Sequence, residues 1–110
     1  MDRIERMKDE SAVGLGVAAT KTASYEMKPY EHRVLVDSTS SPITITLPPV
    51  TEAAGKLYSI ICTTFVEAVT IADNDDSYSW SDETTSIAAA GDGALYYSDG
   101  FTWFNVATIT

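Results

Sequence analysis

The segment Ile43-Thr44-Ile45-Thr46-Leu47 alternates aliphatic and hydroxyl side chains without a break. A two-residue period of this kind places one set on each face of an extended strand, apolar toward a core and polar toward water. Pro48-Pro49 stops the segment at once, because proline cannot donate to a hydrogen-bonded ladder. From Tyr30 to Val106 the chain continues in the same manner, in short β segments separated by turn residues. Glu31 to Asp37, Lys56 to Cys62, Val66 to Ala72 and Ile87 to Ala90 all read as strands, and the apolar run ending at Cys62 suits the centre of a sheet. Asp99-Gly100 between two aromatic runs is the strongest hairpin signal and predicts a tight turn whose two central residues take positive φ. No internal repeat stands out. The expected fold is all-β, a small antiparallel β-sandwich or barrel-like domain of about seven strands. It spans residues 30–110, and residues 1–29 form an N-terminal arm, charge-rich over residues 1–10, where two helical turns around Ile4 and Met7 are expected at most, and extended, small, polar and glycine-containing from residue 11 to Pro29.

A chain of 110 residues makes one domain with a modest core. Its single cysteine, Cys62, excludes an internal disulfide and sits in an apolar run with no basic neighbour, so it is expected to be a buried, inert thiol. The net charge of −9 is unevenly placed: residues 1–33 carry six acids and six bases, and residues 34–110 carry ten acids against Lys56 alone. Such a body repels phosphate and anionic lipid, which argues against nucleic acid and membrane as partners. No apolar stretch approaches the length of a membrane span. The apolar run from Ala12 to Ala19 lacks a cationic flank and contains two glycines, so it does not read as a secretion signal.

The motifs that suggest chemistry fail on context. Gly14-Leu15-Gly16-Val17-Ala18-Ala19 has the spacing of a dinucleotide-binding turn, but no strand precedes it and no βαβ unit follows. Asp73-Asn74-Asp75-Asp76-Ser77 offers hard oxygen ligands, yet an EF-hand register from Asp73 puts Tyr78 where glycine belongs and Thr84 where glutamate belongs. His32 is the only histidine and has no second ligand at zinc-site spacing. The serines cluster in turns, where capping explains them without a nucleophilic role. No cofactor, metal or catalytic residue is therefore assigned, and the expected role is not enzymatic. The aromatic group Tyr78, Trp80, Tyr96, Tyr97, Phe101, Trp103 and Phe104 is more informative, since such side chains stack on sugars or anchor interfaces. Alternation along residues 101–105 sends Trp103 and Phe104 to opposite faces.

The order Ile43-Thr44-Ile45-Thr46-Leu47-Pro48-Pro49, Ala53-Ala54-Gly55-Lys56-Leu57-Tyr58-Ser59-Ile60, Ala68-Val69-Thr70-Ile71 and Tyr97-Ser98-Asp99-Gly100 followed by Trp103 resembles small β modules of tailed-bacteriophage virion proteins. The resemblance covers residues 34–106. It implies a structural protein found in tail fibres, baseplates or head decoration, commonly a homotrimer. The small size with its own starting methionine, the lack of a shaft, and a charge-balanced arm on an acidic body favour the head. The expectation is a capsid decoration or cement protein, made in the host cytoplasm and bound to the outer surface of the capsid, with the major capsid protein as partner. The arm residues Ile4, Met7, Val13, Leu15 and Val17 are then the capsid-docking candidates, and Tyr97, Phe101 and Trp103 the trimer contacts. The alternative is a tail-fibre or receptor-binding module that holds a host glycan with Tyr78 and Trp80. A weaker third reading, a glycan hydrolase, needs paired carboxylates among Asp75, Asp82 and Glu83.

Overall fold

The computed structural model describes residues 20–78 and 86–109. The described residues form eight strands and no helix: β1 (Tyr25–Glu26), β2 (Arg33–Asp37), β3 (Ile43–Thr46), β4 (Leu57–Thr64), β5 (Val69–Ala72), β6 (Ser86–Ile87), β7 (Gly93–Ser98) and β8 (Trp103–Ile109). They lie in two four-stranded sheets, a first in the order β1-β3-β5-β6 and a second in the order β2-β4-β7-β8. The all-β class holds and most expected strands are present, although the one expected over residues 87–90 is only Ser86–Ile87, with a turn in its place; β4 is central as its apolar run implies.

The pairing differs from the antiparallel expectation. From β1 to β5 the chain changes sheet at every step, so strands within one sheet stack in parallel: β1 with β3, β3 with β5, and β2 with β4. Parallel neighbours cannot be joined by a tight turn and need a crossover. Here each crossover is a strand of the opposite sheet instead of a helix, which makes this half of the molecule a flattened coil. Arg33 pairs with Ser59 and Ile43 with Val69, 26 residues on in each case. The internal repeat is therefore structural, and only its faint trace Ile43-Thr44-Ile45 against Val69-Thr70-Ile71 is left in the sequence. The remaining pairs, β4 with β7, β5 with β6 and β7 with β8, are antiparallel.

The corner at residues 38–42, a run of turn residues, is the passage from one sheet to the other. Buried Ser38 fastens it to the equivalent corner one winding later: its N–H donates to Thr64 O at 2.9 Å, its Oγ accepts from Val66 N–H at 3.2 Å, and its carbonyl accepts from Glu67 N–H at 3.0 Å. These bonds satisfy backbone groups that would otherwise be buried without partners.

Residues 21–27, expected to belong to the arm, are part of the domain. Lys21 bridges to Val36 at the outer edge of β2, β1 extends the first sheet, and Met27 is completely buried. The core lies between the sheets. It is built from alternate residues of the strands, Val34, Val36, Ile43, Ile45, Tyr58, Ile60, Cys62, Val69, Ile71, Tyr96 and Trp103 among them, and is sealed by Leu47, Val50 and Ala53 from the turn after β3. Cys62 is a free, buried thiol whose pKa is raised by desolvation, in keeping with the sequence reading.

Gly93 shows how tightly the second sheet is packed. A Cβ at this position would stand 2.5 Å from the Ile60 carbonyl oxygen and 2.7 Å from Ile61 Cδ1. Backbone cannot yield as a side chain can, so Gly93→Ala is expected to cost about 2 kcal/mol and to lower the melting temperature by about 10 °C, measured by circular dichroism. Cys62 is expected to react with a thiol reagent only after denaturant unfolds the chain, at a rate a colorimetric thiol assay reads directly.

Candidate interaction surface

Each sheet has one face on the core and one turned outward, and the two outer faces are chemically unlike. On the first sheet the outward residues of β3 and β5 are Thr44, Thr46, Thr70 and Ala72, with Glu26 beside them on β1. This is an ordinary solvated surface, with Thr44 directly opposite Thr70. On the second sheet, registers align the outward residues into apolar rows. Leu57, Tyr97 and Phe104 form the first, and Ser59, Leu95 and Ala107 continue the second beyond Arg33. The third runs Leu35, Ile61, Gly93, Ile109, with the Ile61 side chain lying flat across Gly93.

Strands β4, β7 and β8 contain no charged residue at all. The charged residues of this sheet are Arg33 and Asp37, one at each end of β2. Leu57, Phe104, Val106 and Ile109 are between 42% and 52% exposed, far above what a core position shows. A connected apolar patch of this kind often marks an interaction site.

β8 adds a second feature, because it forms the margin of its sheet and pairs only with β7 among the described residues. A register shift between Leu95 and Tyr96 leaves Val106 as the extra residue of a bulge, half exposed. The hairpin before it also departs from expectation. Ser98 pairs with Trp103, so the loop has four residues, and only Gly100 takes positive φ, at 96°. Asp99 is not left-handed; its carboxylate accepts the N–H groups of Phe101 and Thr102, both at 2.8 Å, and these bonds hold its pKa below the usual range. Buried Ser98 braces the loop from inside, its Oγ donating to Val50 O at 2.7 Å and accepting from Gly100 N–H at 3.0 Å.

The sequence-predicted contact residues scatter. Tyr97 lies within the apolar face, half-buried by its neighbours. Trp103 is turned into the core, 4% exposed, with its ring edge-on to Tyr58 at 5.5 Å, so its own chain covers it and it offers no surface to a partner. Its indole Nε1 has no hydrogen-bond partner among the described residues. Phe101, at 74% exposure, stands out from the hairpin loop, and its carbonyl accepts the N–H of Tyr78 at 2.7 Å. Two exposed aromatics, Tyr78 and Phe101, are thereby brought to one corner. Trp80, Asp82 and Glu83 lie outside the described residues, as do Ile4, Met7, Val13, Leu15 and Val17.

Sequence reasoning missed Leu57, Leu95, Ile109 and Ile61, and named Phe104 only as one of the aromatic group. The signal was available in β4, where Leu57 and Ile61 are apolar at the same parity as Ser59, while Tyr58, Ile60 and Cys62 fill the other. A strand apolar on both faces belongs to a sheet covered on both sides.

The acidic loop holds itself together through its carboxylates. Asp73 accepts from Ser77 N–H and Asp76 from Val50 N–H, each at 3.0 Å, while Ser77 Oγ accepts from Trp103 N–H. Among the described residues no three carboxylate, imidazole or thiol groups come together as a metal site would require. His32 stacks on Tyr58 at 4.8 Å between centroids, with Nδ1 2.9 Å from Leu57 O, a contact in which the ring N–H donates. Tyr58 in turn donates to Pro29 O at 2.6 Å and joins the chain before β2 to the core. Searches against protein-family models, curated proteins and solved structures find no match to this chain.

Burial pushes the phenols of Tyr58 and Tyr96 up to about 12, and burial together with the Glu31 carboxylate does the same for Tyr25. The unfolded chain releases these protons near pH 10, so their contribution to stability is complete below that value and is lost as pH rises toward 12. Asp37 and Asp99 act in the opposite sense, since their lowered values support the fold above the carboxylate range and fail it in acid. Ultraviolet titration is expected to show Tyr58 and Tyr96 ionising only together with loss of the circular-dichroism signal near pH 12.

Proposed function

We propose that this protein is a structural component of a tailed-bacteriophage virion, a head decoration or cement protein that binds the outer surface of the capsid as a trimer and stabilises the shell. The observation that carries this reading is the apolar face of the second sheet, uncharged over β4, β7 and β8, on a body that is otherwise acidic. Such a face serves assembly, and the acidic remainder keeps the assembled particle soluble and discourages stray sheet pairing. The role is non-enzymatic, and the major capsid protein is the partner.

Attachment falls to the segment ahead of Thr20, whose Ile4, Met7, Val13, Leu15 and Val17 supply the apolar contacts across neighbouring capsid subunits. Its inner end is fixed to the body where Lys21 joins the edge of β2, so a load on the segment is carried into the second sheet. Three copies acting together give firm binding from modest individual affinities through effective concentration.

A second reading is favoured by the corner where Tyr78 and Phe101 stand 89% and 74% exposed, side by side along the backbone. Aromatic faces of this kind suit a sugar ring, as a receptor-binding module on a tail fibre requires. Immunogold microscopy with antibody to the β body separates the two. Gold spread over heads is expected, and gold confined to tail tips assigns the protein to host recognition. Deleting residues 1–17, which leaves Lys21 in place, is expected to preserve the circular-dichroism spectrum and melting temperature and to abolish binding to isolated shells.

A further inference from the structure

We infer that the outer face of the second sheet, continued by the free edge of β8, is the contact between copies of this chain. The inference deepens the assembly role proposed above by naming the surface that makes it, and its occupant is a second copy of the protein.

Charge selects that occupant. The molecule carries a net charge of −9, and among the described residues from 34 onward the acids lie in turns and loops except for Asp37 at the end of β2. Three of the four strands on this face are uncharged, and Arg33 and Asp37 cancel at its margin. The face is thus neutral toward a copy of itself, whereas the rest of the body repels one. A charged foreign partner would find nothing on β4, β7 or β8 to recognise. Homo-oligomer contacts are the class of interface with an apolar, charge-depleted centre.

Size points the same way. Four strands about 4.8 Å apart and roughly six residues long make a plate of about 400 Å². That is within the roughly 300–600 Å² of the largest apolar patch on a typical monomer, a patch that is often functional, and about half of the roughly 800 Å² that each partner contributes to a standard interface. The remainder is at hand along β8, where Phe104, Val106 and Ile109 are exposed beside an edge that no described strand covers. Face and edge are continuous, because Phe104 closes the row that begins at Leu57.

The experiment is sedimentation velocity on the full chain over a range of concentrations, with three variants. Leu57→Glu and Phe104→Glu change residues already half exposed on the face, and Val66→Glu places the same charge on a residue 56% exposed elsewhere. The unaltered protein and Val66→Glu are expected to sediment at a fixed multiple of the 11.9 kDa chain, and the two face variants at one chain mass with unchanged circular dichroism. Phe104→Thr, which adds no charge, is expected to weaken association at least tenfold and serves if a glutamate variant fails to fold. A wild-type protein that stays monomeric throughout overturns the inference and gives the face to residues 1–19 or to another protein. So does an oligomer that survives the face variants. No capsid is present in these measurements. Loss of shell binding with the oligomer intact would therefore refute the capsid role and leave the interface standing.

Discussion

Everything in this molecule depends on β4 being paired on both sides, with β2 in parallel and β7 in antiparallel register. Because side chains alternate along a strand, a slip of one residue would turn Tyr58, Ile60 and Cys62 outward and bring Leu57, Ser59 and Ile61 in. Two neighbours holding one register make such a slip improbable energetically, since both ladders would have to break together. Tyr58 reinforces the choice at the start of the strand, where its hydroxyl reaches Pro29 O and its ring is enclosed by His32 and Trp103. The inner and outer faces of the second sheet, and so the candidate interface, are consequences of that register.

The coil from β1 to β5 supplies a scaffold in which polar and apolar surfaces are segregated by sheet. Threonines on the outer face of the first sheet satisfy water, and leucine, isoleucine, tyrosine and phenylalanine on the outer face of the second do not. A chain able to place threonine at Thr44 and Thr70 was under no chemical constraint to place Leu57, Leu95 and Phe104 where it did. The two outer faces therefore differ in chemistry, hydroxyl-bearing on the first sheet and largely aliphatic and aromatic on the second. The final antiparallel strands, β7 and β8, extend the second sheet beyond the coil and give the apolar face most of its area.

Local chemistry was legible where one residue decides one conformation. Pro48-Pro49 ends β3, Cys62 is a free, buried thiol, and alternation divides Trp103 from Phe104, the first 4% exposed and the second 45%. The Asp99-Gly100 turn was legible as a turn but not as its type, because the Asp99 carboxylate can cap Phe101 and Thr102 in a four-residue loop as readily as the backbone can adopt a two-residue one. Residues 21–27 look like an arm in sequence because two residues of strand and a single Met27 make too short a pattern to detect. Their place in the domain comes from long-range pairing with β3 and β2.

The sequence by itself determined that the chain is a set of short strands with punctuated ends, that its body is acidic, and which side chains share a face within each strand. These follow from the two-residue period and from the backbone limits of proline and glycine, both of them local. Only the tertiary structure decided which strands are neighbours. Alternation is the same in a parallel and an antiparallel ladder, so the 26-residue coil, the burial of Trp103 and the joining of Leu57, Tyr97 and Phe104 into one row could arise only when distant segments came together.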